Sequence, residues 1–236
     1  PDFDYALYIG TNTTATSANG SSFVTSEPVD FTVSNSMDQT EISIAQINND
    51  EPEYYLLKKT RKGTSGTIVS ETFTMGAYQE FPTLELNVPN IGGIIDITDS
   101  DGNIWYEVDY LAQDLVYSDL KNTNVNDPNN SADSYNAPYL LKTKSVNRRF
   151  ITRFLNENTL QIQFGAGRPL EIDEEVTPNP DNVGLGLPFG QNKLTTAYSP
   201  TNFIFTNTYG ISPSDTNLTV RYLTGGGTSS NVNANQ

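Results

Sequence analysis

Apolar and polar residues alternate one for one through "EISIAQI" (41–47), "TLELNV" (83–88), "TLQIQF" (159–164) and "LTVRYL" (218–223). A period of two places every second side chain on the same face of an extended chain, so each segment reads as a strand with one face toward a core. The shorter runs "YYLLKKT" (54–60), "RFITRF" (149–154) and "NFIFTN" (202–207) extend the set. Helical periodicity surfaces in "VDYLAQDLVY" (108–117), the best helix candidate. The pattern predicts a mainly β chain of antiparallel strands and hairpins, with long polar loops and few short helices. Polar connections are expected over 11–22, 118–137 and 173–202. Loops of that length in a compact domain usually carry function or form interfaces.

Composition agrees with an exposed, loop-rich β protein. Only 36% of the 236 residues are apolar, yet 11% are aromatic, with 13 Tyr, 11 Phe and one Trp. A disordered chain would lack the aromatic and β-branched residues. The length suffices to bury a sizeable core.

The clearest local unit is "GGIIDITDSDGNIWYEVDYL" (92–111). Two apolar runs, Ile94–Thr98 and Ile104–Val108, flank Asp101-Gly102, a dipeptide that accepts positive φ in a tight hairpin turn. The spaced carboxylates Asp99 and Asp101 echo a calcium loop, but the first ligand position would be Ile97 and the twelfth Val108. A calcium loop needs a carboxylate at each, with helices on both sides. The hairpin reading therefore stands, and Trp105 is expected to fill the core.

Charge and residue inventory exclude several function classes. With 28 acidic against 13 basic residues the formal charge is −15. Such a field repels phosphate backbones and anionic lipid, so neither nucleic acid nor membrane is an expected partner. The basic stripe "KTKSVNRRFITR", with Lys142, Lys144, Arg148, Arg149 and Arg153, is expected to pair with the chain's own carboxylates or a partner's acidic face. The absence of His removes the commonest general base and metal ligand, and the absence of Cys removes thiol nucleophiles and thiolate metal sites. Carboxylate chemistry remains. Glu171, Asp173, Glu174 and Glu175 form the densest cluster, but they follow one another beside Pro178 and Pro180, where solvent keeps them all ionised. Glycoside hydrolysis needs two carboxyls facing across a cleft, one with a raised pKa. Glu107 and Asp109 have no evident partner in the sequence.

Glycine runs do not rescue nucleotide binding. "FGAG" (164–167) and "GLGLPFG" (184–190) miss the dinucleotide spacing, and "GGGTSSN" (225–231) lacks the Lys-Ser/Thr of a phosphate loop. No cofactor or metal is expected.

Those same glycine segments carry a resemblance. "LQIQFGAG", a long Pro/Gly loop, and then "LTVRYLTGGGTSSNVN" resemble the signature of baseplate J-like proteins of contractile-tailed phages. In that family a strand ends in Phe-Gly-Asp-Gly, and a later Tyr-Arg or Arg-Tyr strand runs into a Gly-rich turn followed by Asn-Val. Phe164, Gly165 and Gly167 match the first motif, with Ala166 in place of the usual Asp. Arg221, Tyr222, Gly225, Gly226, Gly227 and Asn231 match the second. Upstream, "ETFTMGAYQEFPTLEL" and "IDITDSDGNIWYEVDYLAQD" are similar to the preceding family segment, with Asp101, Gly102 and Trp105 in its hairpin. The large wedge subunit of myophage baseplates is the variant that fits best. The likeness covers about residues 70–236, and the 168–202 loop is longer and more acidic than is usual in the family.

The resemblance implies a non-enzymatic virion part. It would join other baseplate wedge and hub proteins, as a homo-oligomer in a ring around the tail hub that widens when the sheath contracts. It also implies an N-terminal β segment over 1–70 and a baseplate J-like β domain over 71–236, within a chain that continues further. Two other readings stay open: a secreted or surface β-sandwich that binds glycans through a Tyr-rich face, and a carboxylate hydrolase acting through Glu171 or Glu174. In the baseplate reading the triple glycine is a joint between β domains.

Overall fold

A computed structural model describes residues 2–35, 38–122, 137–168 and 209–226. The fold is mainly β, and the described residues contain no α-helix; a 3-10 turn occupies Phe3–Tyr5. Contacts divide the chain into two compact units. Unit 1 comprises Pro1–Ile68, Tyr117–Lys142 and Gly225–Gln236, and unit 2 comprises Val69–Val116 and Thr143–Thr224.

Unit 1 is built from short ladders. Strands β1 (Tyr8–Ile9) and β4 (Val29–Asp30) pair antiparallel. Strands β2 (Thr14–Thr16), β3 (Ser22–Thr25) and β7 (Gly63–Ser65) make a three-stranded antiparallel sheet. The expected loop over 11–22 thus contains a strand of its own. Strands β5 (Glu41–Asn48) and β6 (Glu51–Lys58) form a separate two-stranded hairpin. Val24 supplies the buried apolar side chain, and polar clusters do the rest. Asp38 receives Lys59 Nζ at 2.7 Å and Arg61 Nη2 at 2.8 Å, with the Lys59 side chain fully buried. Burial by itself would raise the Asp38 carboxyl, but the hydrogen bonds from Arg61 and Lys59 outweigh it and hold it below the ordinary carboxylate range.

Unit 2 is organised on one seven-stranded sheet. Its strands are β8 (Thr67–Met75), β9 (Thr83–Asn87), β10 (Ile91–Asp99), β11 (Ile104–Glu107), β14 (Arg149–Asn156), β15 (Thr159–Phe164) and β16 (Thr216–Thr224). They lie in the order β8-β16-β10-β11-β14-β15-β9. The sheet curls into a half-barrel, which gives it a concave face to fill. β11 and β14 run parallel, whereas β10–β11, β10–β16, β14–β15 and β15–β9 run antiparallel. A parallel pair needs a crossover. Here the chain leaves through β12 (Leu115–Lys121) and returns through β13 (Tyr139–Ser145), which pair with each other.

The alternation in the sequence becomes the core of this sheet. Along β15, Leu160, Ile162 and Phe164 are buried while Thr159, Gln161 and Gln163 are half-exposed. Along β16, Leu218, Val220 and Tyr222 are buried and Arg221 faces outward. Leu86, Ile97, Trp105, Phe150 and Ile211 complete the cluster. Each such side chain stabilises by about 1.5–3 kcal/mol relative to exposure. Trp105 meets Phe164 edge to face, with ring centroids 5.2 Å apart.

The helix expected over 108–117 does not form. Val108 N–H donates to Phe150 O, Gln113 N–H closes a turn on Tyr110 O, and residues from Leu115 enter β12. Fewer than a dozen residues make a marginal helix in water, so strand pairing prevails. The strand expected over 202–207 and the polar loop over 173–202 lie outside the described residues.

Candidate functional site

The first resemblance motif lies at a close crossing of backbones. Strand β15 ends at Phe164, whose N–H donates to Pro82 O at 3.0 Å, and Gly165 O accepts from Phe81 N–H at 3.2 Å. A Cβ on Gly165 would stand 2.0 Å from Gly210 O and 2.4 Å from Tyr209 O. No side chain fits there, so glycine is required by close approach rather than by φ. Gly167 then bridges to Ile211, with Gly167 N–H on Gly210 O at 2.9 Å and Ser212 N–H on Gly167 O at 2.7 Å. Ala166 is fully buried, and its carbonyl accepts the Tyr78 hydroxyl. A family-type Asp at 166 would place a carboxylate where the structure holds a methyl group against protein on all sides.

The second motif is a glycine turn. Gly225 and Gly226 take φ of +98° and +90°, the left-handed region that favours glycine. A Cβ on Gly226 would lie 2.9 Å from Ser65 O, so the turn passes directly over the end of β7. Gly227 and Asn231 lie outside the described residues, as do Glu171, Asp173, Glu174 and Glu175. Upstream in β16, the two motif side chains separate by face. Tyr222 is buried, and burial first, then the Glu71 charge, pushes its hydroxyl pKa up. Arg221 forms a two-pronged ion pair with Asp96, its register partner across β10. Both groups are partly exposed, so the pair contributes at most about 1 kcal/mol.

The hairpin carries its own polar centre. Gly102 has φ +80° and its N–H closes on Asp99 O at 3.0 Å. The Asp99 carboxylate accepts from Asp101 N–H, Asn103 N–H, the Asn103 amide and Trp105 Nε1, and Arg148 Nε lies 3.5 Å away. Burial alone would raise this carboxyl; the Asn103 and Trp105 bonds prevail and lower it. All of its capacity goes to the turn. Among the described residues no group of three or more Asp or Glu is arranged to hold a metal ion.

The basic stripe disperses into separate tasks. Arg149 is 1% exposed, donating to Leu111 O and Val146 O at 2.6 Å each. Lys144 Nζ bonds Tyr106 Oη at 2.6 Å, Arg148 faces Asp99, and Arg153 bonds Gln161. Glu107 accepts from Thr152 Oγ1 and is likewise engaged.

Two features escaped the sequence reading. Phe81 sits at φ +49°, a strained value for a bulky residue, and meets Tyr209 edge-on at 6.0 Å. These two rings, with Tyr110, Leu111, Ile151 and Gln163, border a depression of about 430 Å³. The other feature is display. Most large apolar side chains of β5 and β6, including Ile42, Ile44, Tyr54, Tyr55 and Leu56, are exposed. The alternation in "EISIAQI" signalled the strand, but nothing local said that its apolar face would stay uncovered.

Among the described residues no helix is long and apolar enough to cross a membrane. The chain matches no known family model, curated protein or solved structure.

Proposed function

We propose that this chain is a non-enzymatic assembly module of a phage tail baseplate, of the wedge kind that joins neighbours around the tail hub. The observation that carries the reading is the uncovered apolar surface of unit 1. Its strands and termini expose Tyr8, Ile42, Ile44, Tyr54, Leu56, Tyr117, Leu120 and Leu141. Contiguous exposed apolar surface and unpaired strand edges favour association with another chain. The glycine segments support it in a second way. Gly165 and Gly226 serve close backbone packing, as joints in a structural part would, and the order of motifs follows the baseplate J-like pattern. Its partners in this reading are wedge and hub proteins and further copies of the chain, and its place is the virion tail. Electron microscopy of the chain co-expressed with its neighbouring tail proteins should reveal a ring or wedge assembly. A lone monomer that no tail protein recruits overturns the reading.

One observation favours a second reading. The depression beside Phe81, Tyr110 and Tyr209 combines aromatic faces with Asp109 and Gln163, groups suited to stacking on and hydrogen-bonding a sugar. A glycan array probed with the protein and with Tyr110→Ala decides it; no glycan bound by either removes this alternative.

A further inference from the structure

The β5–β6 hairpin is uncovered along its length, with every residue exposed except the half-buried Leu57. It is nevertheless sharply defined. Asn49 and Asp50 both take positive φ, 51° and 62°, with Asn48 opposite Glu51. That is the primed two-residue turn whose twist matches the flanking strands. Ile42 stands opposite Leu57 and Ile44 opposite Tyr55. Opposed residues share a face, so these four form one apolar, uncharged surface. A lone two-stranded hairpin is marginal in water.

Charge selects the occupant. Between Ile42 and Leu57 the hairpin carries three carboxylates, Asp50, Glu51 and Glu53, and no cation. All three are exposed and sit toward the turn, and none joins the ion pairs formed among the described residues. A second copy of a chain with formal charge −15 would bring like charge against that tip. We infer that the hairpin docks into a groove on a different protein, apolar along its floor and rich in Lys or Arg where it receives the turn. The inference rests on the assembly reading insofar as both need another protein to cover unit 1.

The test uses the full chain. A random peptide library is panned against the parent protein, against Ile42→Ser/Ile44→Ser/Tyr55→Ser, and against Asp50→Lys/Glu51→Lys/Glu53→Lys. The parent should enrich peptides that combine apolar residues with net positive charge. A synthesised winner should bind each variant at least about tenfold more weakly, and its binding to the parent should weaken with salt. Unchanged unfolding monitored by Trp105 fluorescence establishes that both variants keep unit 2 folded. An empty selection, neutral or acidic winners, or winners that bind all three proteins alike overturn the inference. So does a dimer in analytical ultracentrifugation that the serine variant abolishes, since the occupant would then be a second copy. Failures separate cleanly. If tail proteins co-assemble equally with the parent and the serine variant, the hairpin inference alone falls. If the hairpin binds basic apolar peptides and no tail protein is recruited, the baseplate reading falls instead.

Discussion

The two units share a strand-rich sequence and solve the burial problem in opposite ways. Of the fifteen buried hydrophobic residues among the described ones, Val24 alone belongs to unit 1 and the other fourteen to unit 2. Unit 2 has a sheet that curls over its own apolar face. Unit 1 has two- and three-stranded sheets too narrow to enclose one, and relies on polar clusters built on the buried Asp30 and on Asp38 with the buried Lys59. Asp30 illustrates the device: Thr32 N–H donates to it at 2.9 Å, and the Tyr139 hydroxyl donates to its other oxygen. Hydrogen bonds offset desolvation only when every group is satisfied, so such a unit gains order without gaining much surplus stability. The lesson is that alternation promises a strand with an apolar face, and the closure of the sheet decides whether that face becomes core or contact surface.

Breaking the unit 2 core should have the largest effect. Phe164→Ala removes the ring that packs on Trp105 and Phe150 and should cost about 3–5 kcal/mol. Denaturant unfolding followed by Trp105, the sole tryptophan, measures it; a loss below about 1 kcal/mol would contradict the packed-core account. Next comes Gly165→Ala, expected to cost about 3 kcal/mol because its Cβ meets backbone rather than a movable side chain. The same fluorescence assay reads it.

A smaller effect tests the polar device of unit 1. Asp38→Asn leaves the fully buried Lys59 without its counter-charge and should cost about 2 kcal/mol at neutral pH. The Asp38 carboxyl is held below its ordinary value of 3.8 in the fold, so its contribution is present above that value and is lost as pH falls through the lower, folded value. Amide protection factors in β3 and β4, referred to the intrinsic exchange rate at each pH, should therefore fall on acidification in the parent. The Asn variant should lack that share of the pH dependence, and identical acid profiles would refute the pairing. The smallest change is Gly225→Ala, where the nearest atom is 3.7 Å away and only the positive φ resists. About 1 kcal/mol is expected. A cost as large as that of Gly165→Ala would mean that the turn is more tightly enclosed than this geometry allows.

Much of the strand inventory was legible. The buried positions of β15 and β16 follow the alternation residue by residue, and the Asp101-Gly102 turn with Trp105 behind it forms as its residues suggest. The candidate site was less legible. "FGAG" marks glycines, but the need for Gly165 comes from Gly210, 45 positions later in the chain. The basic stripe suggests pairing with carboxylates, and Arg148 does face Asp99, yet Arg149 is buried with its guanidinium on the carbonyls of Leu111 and Val146.

By itself, then, the sequence determined where the chain is extended and which side of each strand is apolar, because both depend on a backbone repeat of two residues. It also settled the acidic charge and the absence of His and Cys. Only the tertiary structure decided the parallel β11–β14 pairing, the strand in place of a helix at Leu115, and the close approach that requires Gly165. It decided as well that the apolar face of β15 is enclosed while that of β5 stays open. These outcomes rest on contacts between residues far apart in the chain, which no local pattern encodes.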